Sequence, residues 1–429
     1  MKSNMVESLQ LLFHCGVFEP DDLIKNTLGA AIGYAIRKDS VEEKRRMLTN
    51  DQNCVLSLLR ESMGAPSVYC EPDSAGALCG IILHNGILLT VFPTVRKKAE
   101  AGSGLMQEAE AELRPHFYAA LKQSLLQEHE GIMVLGGLRD AGFDCIPLKG
   151  WEMRNLYPDK AMRQMADLDI LVQPYEHKRI KAVMEELGFT GDAESSWKHD
   201  CFKKDEVTVE THKRLTDDSG VIQQWERDVW NRANRRDGIV QAMSDEDYYI
   251  FHFVHLHKDF MNGSLGLRRI ADTWLLQKLP VDSEAVLQTL TKMGLQRFHE
   301  KMVALSRAAM GDTSLDEGAE IMLTHACKYG IYGSEKSYKS GRIAAMGNSV
   351  RSGKIKSLTA AVFLPYKRMK AQFPILRKWP ILLPFCWCKR IFKLMRGNVR
   401  RKRIMMDYRN ISEEDYNEMK RFFEAGGVL

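Results

Sequence analysis

Between Cys145 and Val172 the chain passes from one short apolar strand pattern to a second, through a Lys149-Gly150 turn and a brief helical stretch, Trp151–Tyr157. The second strand, Asp167–Val172 (DLDILV), carries two carboxylates two residues apart. Residues i and i+2 of a strand project to one face, so Asp167 and Asp169 point the same way. Like charges held side by side raise each other's pKa unless a cation lies between them. Among oxygen-ligated ions, Mg2+ suits a pair of carboxylates. The block is therefore suited to metal-assisted phosphoryl or nucleotidyl transfer. A fold that holds it must bring two strands and a tight turn together within fewer than thirty residues.

The surrounding pattern is mostly helical. Helices are expected over residues 1 to about 60, from Leu105 to about Asp140 with Gly142 as a stop, over Tyr175–Leu187, and at 222–233, 245–260 and 265–278. More follow to about residue 329. Phe189 opens an extended piece, and Val207–His212 (VTVETH) alternates as a further strand. The fold class is thus α+β: a small mixed sheet flanked by N-terminal and C-terminal helical regions. Two apolar runs around Asn85-Gly86, within 76–92, predict a β-hairpin insertion. Glycine and serine over 333–353 predict a linker. Four segments result: a helical region with the hairpin (1–104), a catalytic domain (105–220), a helical domain (221–332) and a basic tail (333–429).

Composition bounds the class. The apolar share of 45% and charged share of 27% over 429 residues fit a globular chain of two or three units. Nine cysteines without CxxC spacing argue against a disulfide framework or structural zinc and suit a reducing cytosol. The N-terminus lacks a signal-peptide pattern, and no apolar run is long enough to span a bilayer. The expected location is cytoplasmic, with peripheral attachment at the inner membrane face left open. That option comes from charge: residues 336–403 hold 19 Lys and Arg with no Asp or Glu, leaving 42 basic against 56 acidic residues elsewhere. Such a segment attracts an anionic surface, whether membrane, nucleic acid or the acidic body of the same chain. Its stretch 373–397 mixes tryptophans and aliphatics with Lys and Arg, an interfacial pattern. Pro374, Pro380 and Pro384 interrupt any long helix there.

The block IPLKG-x6-YPD-x3-R-x3-DLDILV resembles an uncharacterised nucleotidyltransferase family of the DNA polymerase β-like superfamily. VTVETHKRL (207–215) and HLHKDF-x5-GLRRIADTW (255–274) match further segments of that family, and 373–390 is similar to the C-termini of bacterial members. The resemblance covers much of residues 105–395 and is weak before residue 100.

The resemblance implies a two-metal centre for Mg2+, with Mn2+ as an alternative, held by Asp167, Asp169 and a third carboxylate. Glu210 is the candidate for the third, since Val207 and Val209 face the other side of its strand. His212 shares Glu210's face and is positioned to orient it or to bind substrate. Superfamily members bind phosphate with a Gly-Ser turn. This chain has Lys149-Gly150-Trp151, so Gly150 allows close approach while Lys149 supplies a point charge. Arg163 is expected at the triphosphate. His255, Lys258, Arg268 and Asp272 are expected to line the nucleotide side or to bind the catalytic domain. Asp259 stands where members have a second histidine.

Blander readings stand beside these. Arg163 can pair structurally with Asp167, Lys149 can be a strand-end lysine, and Glu210 a solvent-facing strand residue. His252, His255 and His257 lack HExxH spacing and do not share one helical face, which argues against zinc. The leading expectation is transfer of a nucleoside monophosphate from an NTP to an unidentified acceptor hydroxyl. The alternatives are a catalytically silent nucleotide-binding scaffold, and a docking protein that uses its basic tail. Nucleic-acid partners are not favoured, because no recognition motif is visible.

Overall fold

The computed structural model describes residues 48–191, 198–216, 220–236, 239–364, 366–396 and 410–429. The helical expectation for residues 1–47 and the last basic residues of the tail lie outside these. Leu48–Leu429 forms one compact unit. It opens with four helices, α1 (Asn50–Ser62), α2 (Ala75–His84), α3 (Leu88–Glu100) and the 37-residue α4 (Gly104–Asp140). The α/β region follows: β1 (Asp144–Pro147), single-turn α5 (Gly150–Met153), β2 (Leu168–Gln173), α6 (His177–Glu186), β3 (Thr190–Gly191), β4 (His199–Lys204) and β5 (Val207–His212). Next come α7 (Val221–Arg232), a small hairpin β6 (Asn234–Arg236) with β7 (Ile239–Ala242), α8 (Asp245–Met261) and α9 (Leu267–Leu276). Among the described residues eight more helices follow: α10 (Ser283–Lys292), α11 (Gln296–Ala309), α12 (Glu317–Tyr329), α13 (Glu335–Met346), α14 (Val350–Val362), α15 (Tyr366–Gln372), α16 (Leu383–Arg396) and α17 (Glu413–Ala425).

The α+β class holds. The sheet order is β1-β2-β5-β4-β3, with β2 and β5 parallel and the other pairs antiparallel. Strand alternation then divides its side chains. Leu168, Ile170 and Val172 of β2 join Phe202, Val207 and Val209 in a core closed by Val134, Leu135 and Leu138 of α4 and by Ile180 and Met184 of α6. The intervening positions, Asp169, Glu210 and His212, project to the opposite face. A second, larger core runs from Leu48 to Phe423 and unites the N-terminal helices with α8–α14 and α17. The long α4 serves both, through Met106, Ala109 and Leu113 in one and its last turns in the other.

Two sequence expectations are corrected. Residues 76–92 form no hairpin; they are the helices α2 and α3 joined at Asn85-Gly86. Ser74 caps α2 by accepting from the Ala77 N–H, and Gly86, at φ +60°, takes the left-handed position that ends it. Asn85 is spent on tertiary structure, since its Oδ1 accepts the Leu267 N–H at 2.7 Å. Asn-Gly closes a helix as readily as a hairpin, and the apolar runs were too short for their period to decide. The 333–353 stretch is α13, α14 and a brief connection, not a linker. Ser334 and Ser349 are N-caps, while Ser337, Ser340 and Ala344 are buried small residues that let α13 pack closely.

Candidate active site

β2 and β5 are parallel neighbours in a register that places Asp169 directly beside Glu210. Asp167 lies one residue before β2 and leans toward the same space. One oxygen from each of Asp167, Asp169 and Glu210 lies within 4.8 Å of the others. The period-2 strand pattern is what brings them together.

Cations hold this arrangement. Asp169 Oδ1 accepts from Lys149 Nζ at 2.7 Å and from His212 Nε2 at 2.7 Å. Glu210 lies 3.4 Å from His212 Nε2 and 3.6 Å from His199 Nε2. Burial alone would raise Asp169, yet Lys149 and His212 hold it far below the ordinary carboxylate range. Asp167 behaves oppositely: burial, with the neighbouring Asp169 charge, pushes it up to about 6. The hydrogen bond from His212 keeps Glu210 low. In return His212 is raised, since Asp169 and Glu210 outweigh its burial. Lys149 is likewise raised, against burial, by Asp169 and Asp167.

Lys149 occupies a backbone conformation that L residues rarely adopt, φ 48° and ψ −118°. The Tyr248 hydroxyl donates to its carbonyl at 2.7 Å and steadies it there. Gly150 follows because there is no room for more: an added Cβ would meet Met165 Cγ at 2.6 Å. The Lys-Gly turn thus aims the ammonium at Asp169 while the backbone passes tightly under the 163–165 loop.

A cavity of about 360 Å³ opens against these groups, within the usual range for small-ligand sites. Lys149, Gly150, Arg163, Asp167, Asp169, His255 and Arg268 all line it, joined by Asp259 and Arg269. Glu210 stands at its edge through the carboxylate cluster, and Lys258 is exposed on α8, outside the lining. Four cationic side chains and three carboxylates therefore share one small space.

Arg163, expected at a triphosphate, forks onto Asp272 of α9 with two 2.8 Å hydrogen bonds and is almost wholly buried. Its structural partner is Asp272, where the sequence suggested Asp167. Tyr157 donates to the same carboxylate at 2.8 Å. Arg268 donates to the Gln164 carbonyl at 2.8 Å, and burial with Arg163 nearby lowers it to about 10. Asp272 and Arg268 thus clasp the loop before β2 to the helical body. Asp259 joins Arg269 at 2.8 Å and His255 at 3.2 Å, and burial pushes His255 down to about 4. The three helix histidines diverge: His252 meets Thr273, His255 meets Asp259, and His257 packs edge-on to Phe298.

A family model described as an uncharacterised nucleotidyltransferase matches residues 74–311, more than half of the chain. The chain belongs to that family. Its transferase class follows from this membership; the carboxylate cluster lies within the matched span, as does all of the cavity lining except Ile331 and Tyr332. No curated protein matches the chain, and no solved structure does. Among the described residues no helix is long and apolar enough to cross a membrane.

The family-matched span contains further site residues that the motifs did not single out: His199, Tyr248 and Arg269. His199 carried a usable signal. The two-residue turn at Asp205-Glu206 sets the β4–β5 register, which places His199 opposite His212. Tyr248 had none, since it meets Lys149 across 99 residues of chain.

Proposed function

We propose that this protein transfers a nucleoside monophosphate from an NTP to an acceptor hydroxyl, and that Asp167, Asp169 and Glu210 hold Mg2+, or Mn2+ in its place. The observation that carries this reading is the three-carboxylate cluster on one face of β2 and β5, opening onto a cation-lined cavity. The donors fit such ions, being all oxygen and close enough to share them. Bound there, the ions supply charge neutralisation at the α-phosphate and at the leaving oxygen. In this reading Lys149 and Gly150 contact the phosphates, and Arg163, His255 and Arg268, which line the cavity, contribute to the nucleotide side; Lys258, outside the lining, does not. The acceptor oxygen forms its bond to the α-phosphorus as the α–β bridge breaks and pyrophosphate leaves. Glu210, kept ionised by His212, takes the hydroxyl proton.

Labelled NTPs, Mg2+ and an extract that supplies acceptors test this. Label transfer with pyrophosphate release is expected for the native protein. The Asp167→Asn and Asp169→Asn double variant should lose both by about 10²–10³-fold. Wild-type turnover in that variant would sink the carboxylate reading. Tight NTP binding without any turnover would favour the silent scaffold.

A second proposal concerns location: the region 355–392 docks on an anionic lipid surface. Trp379, Ile381, Phe385 and Phe392 are 62%, 80%, 73% and 61% exposed, beside the exposed Arg377, Lys378 and Lys389. A small core of Met369, Leu376 and Cys386 holds the segment together without covering them. Aromatic and aliphatic side chains interleaved with cations, and no acidic residue from 336 to 403, suit an acidic bilayer. Full-length protein should sediment with phosphatidylglycerol vesicles and not with phosphatidylcholine. Replacing Trp379, Ile381, Phe385 and Phe392 by serine should abolish this. Undiminished binding by that variant, or binding to RNA in place of vesicles, would overturn the proposal.

A further inference from the structure

We infer that His199, Glu210 and His212 form a second, nitrogen-rich cation site for a first-row transition ion, zinc above all, distinct from the all-oxygen cluster and sharing Glu210 with it. β4 and β5 are antiparallel, and their register sets His199 directly opposite His212. Glu210 precedes His212 by two residues and so shares its face. Three ligand groups thus rise from adjacent positions on two rigid strands, which is better preorganised than a loop site.

The distances fit an ion. One donor atom from each of the three residues lies within 4.8 Å of the others. His199 Nε2 is 3.6 Å from one Glu210 oxygen, and His212 Nε2 is 3.4 Å from the other; an ion there takes the place of the proton that His212 Nε2 shares with Asp169 at 2.7 Å. Bonds of about 2.1 Å in a tetrahedral shell separate neighbouring donors by about 3.4 Å. The two histidine–Glu210 spacings are of that size. His212 is almost fully buried, whereas His199 and Glu210 remain partly accessible to solvent.

Two imidazoles and one carboxylate are the donor set that favours zinc and its neighbours over Mg2+, which prefers oxygen. The site therefore discriminates between ions that the carboxylate cluster alone would not separate. The ion site itself does not rest on the transfer reading above.

Cobalt substitution tests it directly. Tag-free protein, stripped with a chelator and desalted, is titrated with Co2+ and then with Zn2+, with millimolar Mg2+ present. The expected result is a visible Co2+ absorption band that saturates at one ion per chain and is bleached by Zn2+. His199→Ala and His199→Gln should both lose the band and weaken Zn2+ binding by about tenfold or more. Asp167→Asn should keep the band while losing Mg2+-dependent turnover. Circular dichroism melts of each variant separate ligand loss from unfolding. Absence of the band in folded native protein, or a band unchanged in both His199 variants, would falsify the site. If Asp167→Asn keeps its turnover, the transfer mechanism fails and the histidine site is still judged by its own spectrum.

Discussion

Asp169 accepts from both Lys149 and His212, so its charge is already balanced before any ion or nucleotide arrives. Removing one cation leaves a buried carboxylate half paired, which is costly in a low-dielectric setting. Lys149→Met, which keeps the stem and deletes the charge, should reduce pyrophosphate release by about 10²-fold or more. Steady-state assay of kcat and KM checks this, and an unchanged kcat would remove Lys149 from the machinery. At this scale the sequence was informative wherever period 2 applies. Asp167, Asp169 and Glu210 were legible because strand alternation fixes which side chains share a face. The Lys149–Asp169 bond was not, since nothing in Lys149-Gly150 announces the backbone geometry that aims the lysine back at β2.

Among elements, the decisive joint is Arg163 with Asp272, which ties the loop before β2 to α9. Asp272→Ala leaves the guanidinium buried without its partner and should destabilise the fold by about 3–5 kcal/mol in urea melts. The double change Arg163→Met with Asp272→Leu should recover much of that stability. If it also recovers turnover, Arg163 is purely structural; continued inactivity points to a part for it at the phosphates. A pH effect belongs to α5. Burial pushes Glu152 up to about 7, against partial relief from Arg154. The folded chain then holds more protons than the unfolded chain between about pH 4.5 and 7, so this carboxyl's contribution favours folding less as pH rises through that window. Glu152→Gln should flatten the corresponding fall in Tm, measured across the same range. Element identity itself was misread where periodicity was short: α2 and α3 look like a hairpin in sequence, and only packing of Leu78, Ile82, Val91 and Val95 into the main core distinguishes them.

On the scale of the whole molecule, charge and packing separate within the last hundred residues. α17 is core: Phe422 stacks on Phe260 at 4.1 Å and on His325 at 3.8 Å, and Lys336 pairs with Asp415 at 2.7 Å. Phe422→Ala should therefore cost about 3–5 kcal/mol. Phe392→Ser, on the exposed face of α16, should change stability by less than about 0.5 kcal/mol. Chemical denaturation of the two variants side by side checks the contrast; equal losses would mean that α16 is packed. The tail expected from 333 onward is thus two things, a set of core helices and a cationic segment with outward aromatics.

The sequence by itself determined the carboxylate-bearing strands, since a carboxylate pair at spacing two, a third on an alternating strand and helical flanks follow from local periodicity. It also determined the charge segregation, which is a property of composition alone. Tertiary structure decided the partners. Lys149 with Asp169, Arg163 with Asp272, and Tyr248 with the Lys149 carbonyl are contacts across the fold, and no residue near them in sequence encodes the distance. Periodicity fixes which way a side chain faces; only the packing of one element on another fixes what it meets.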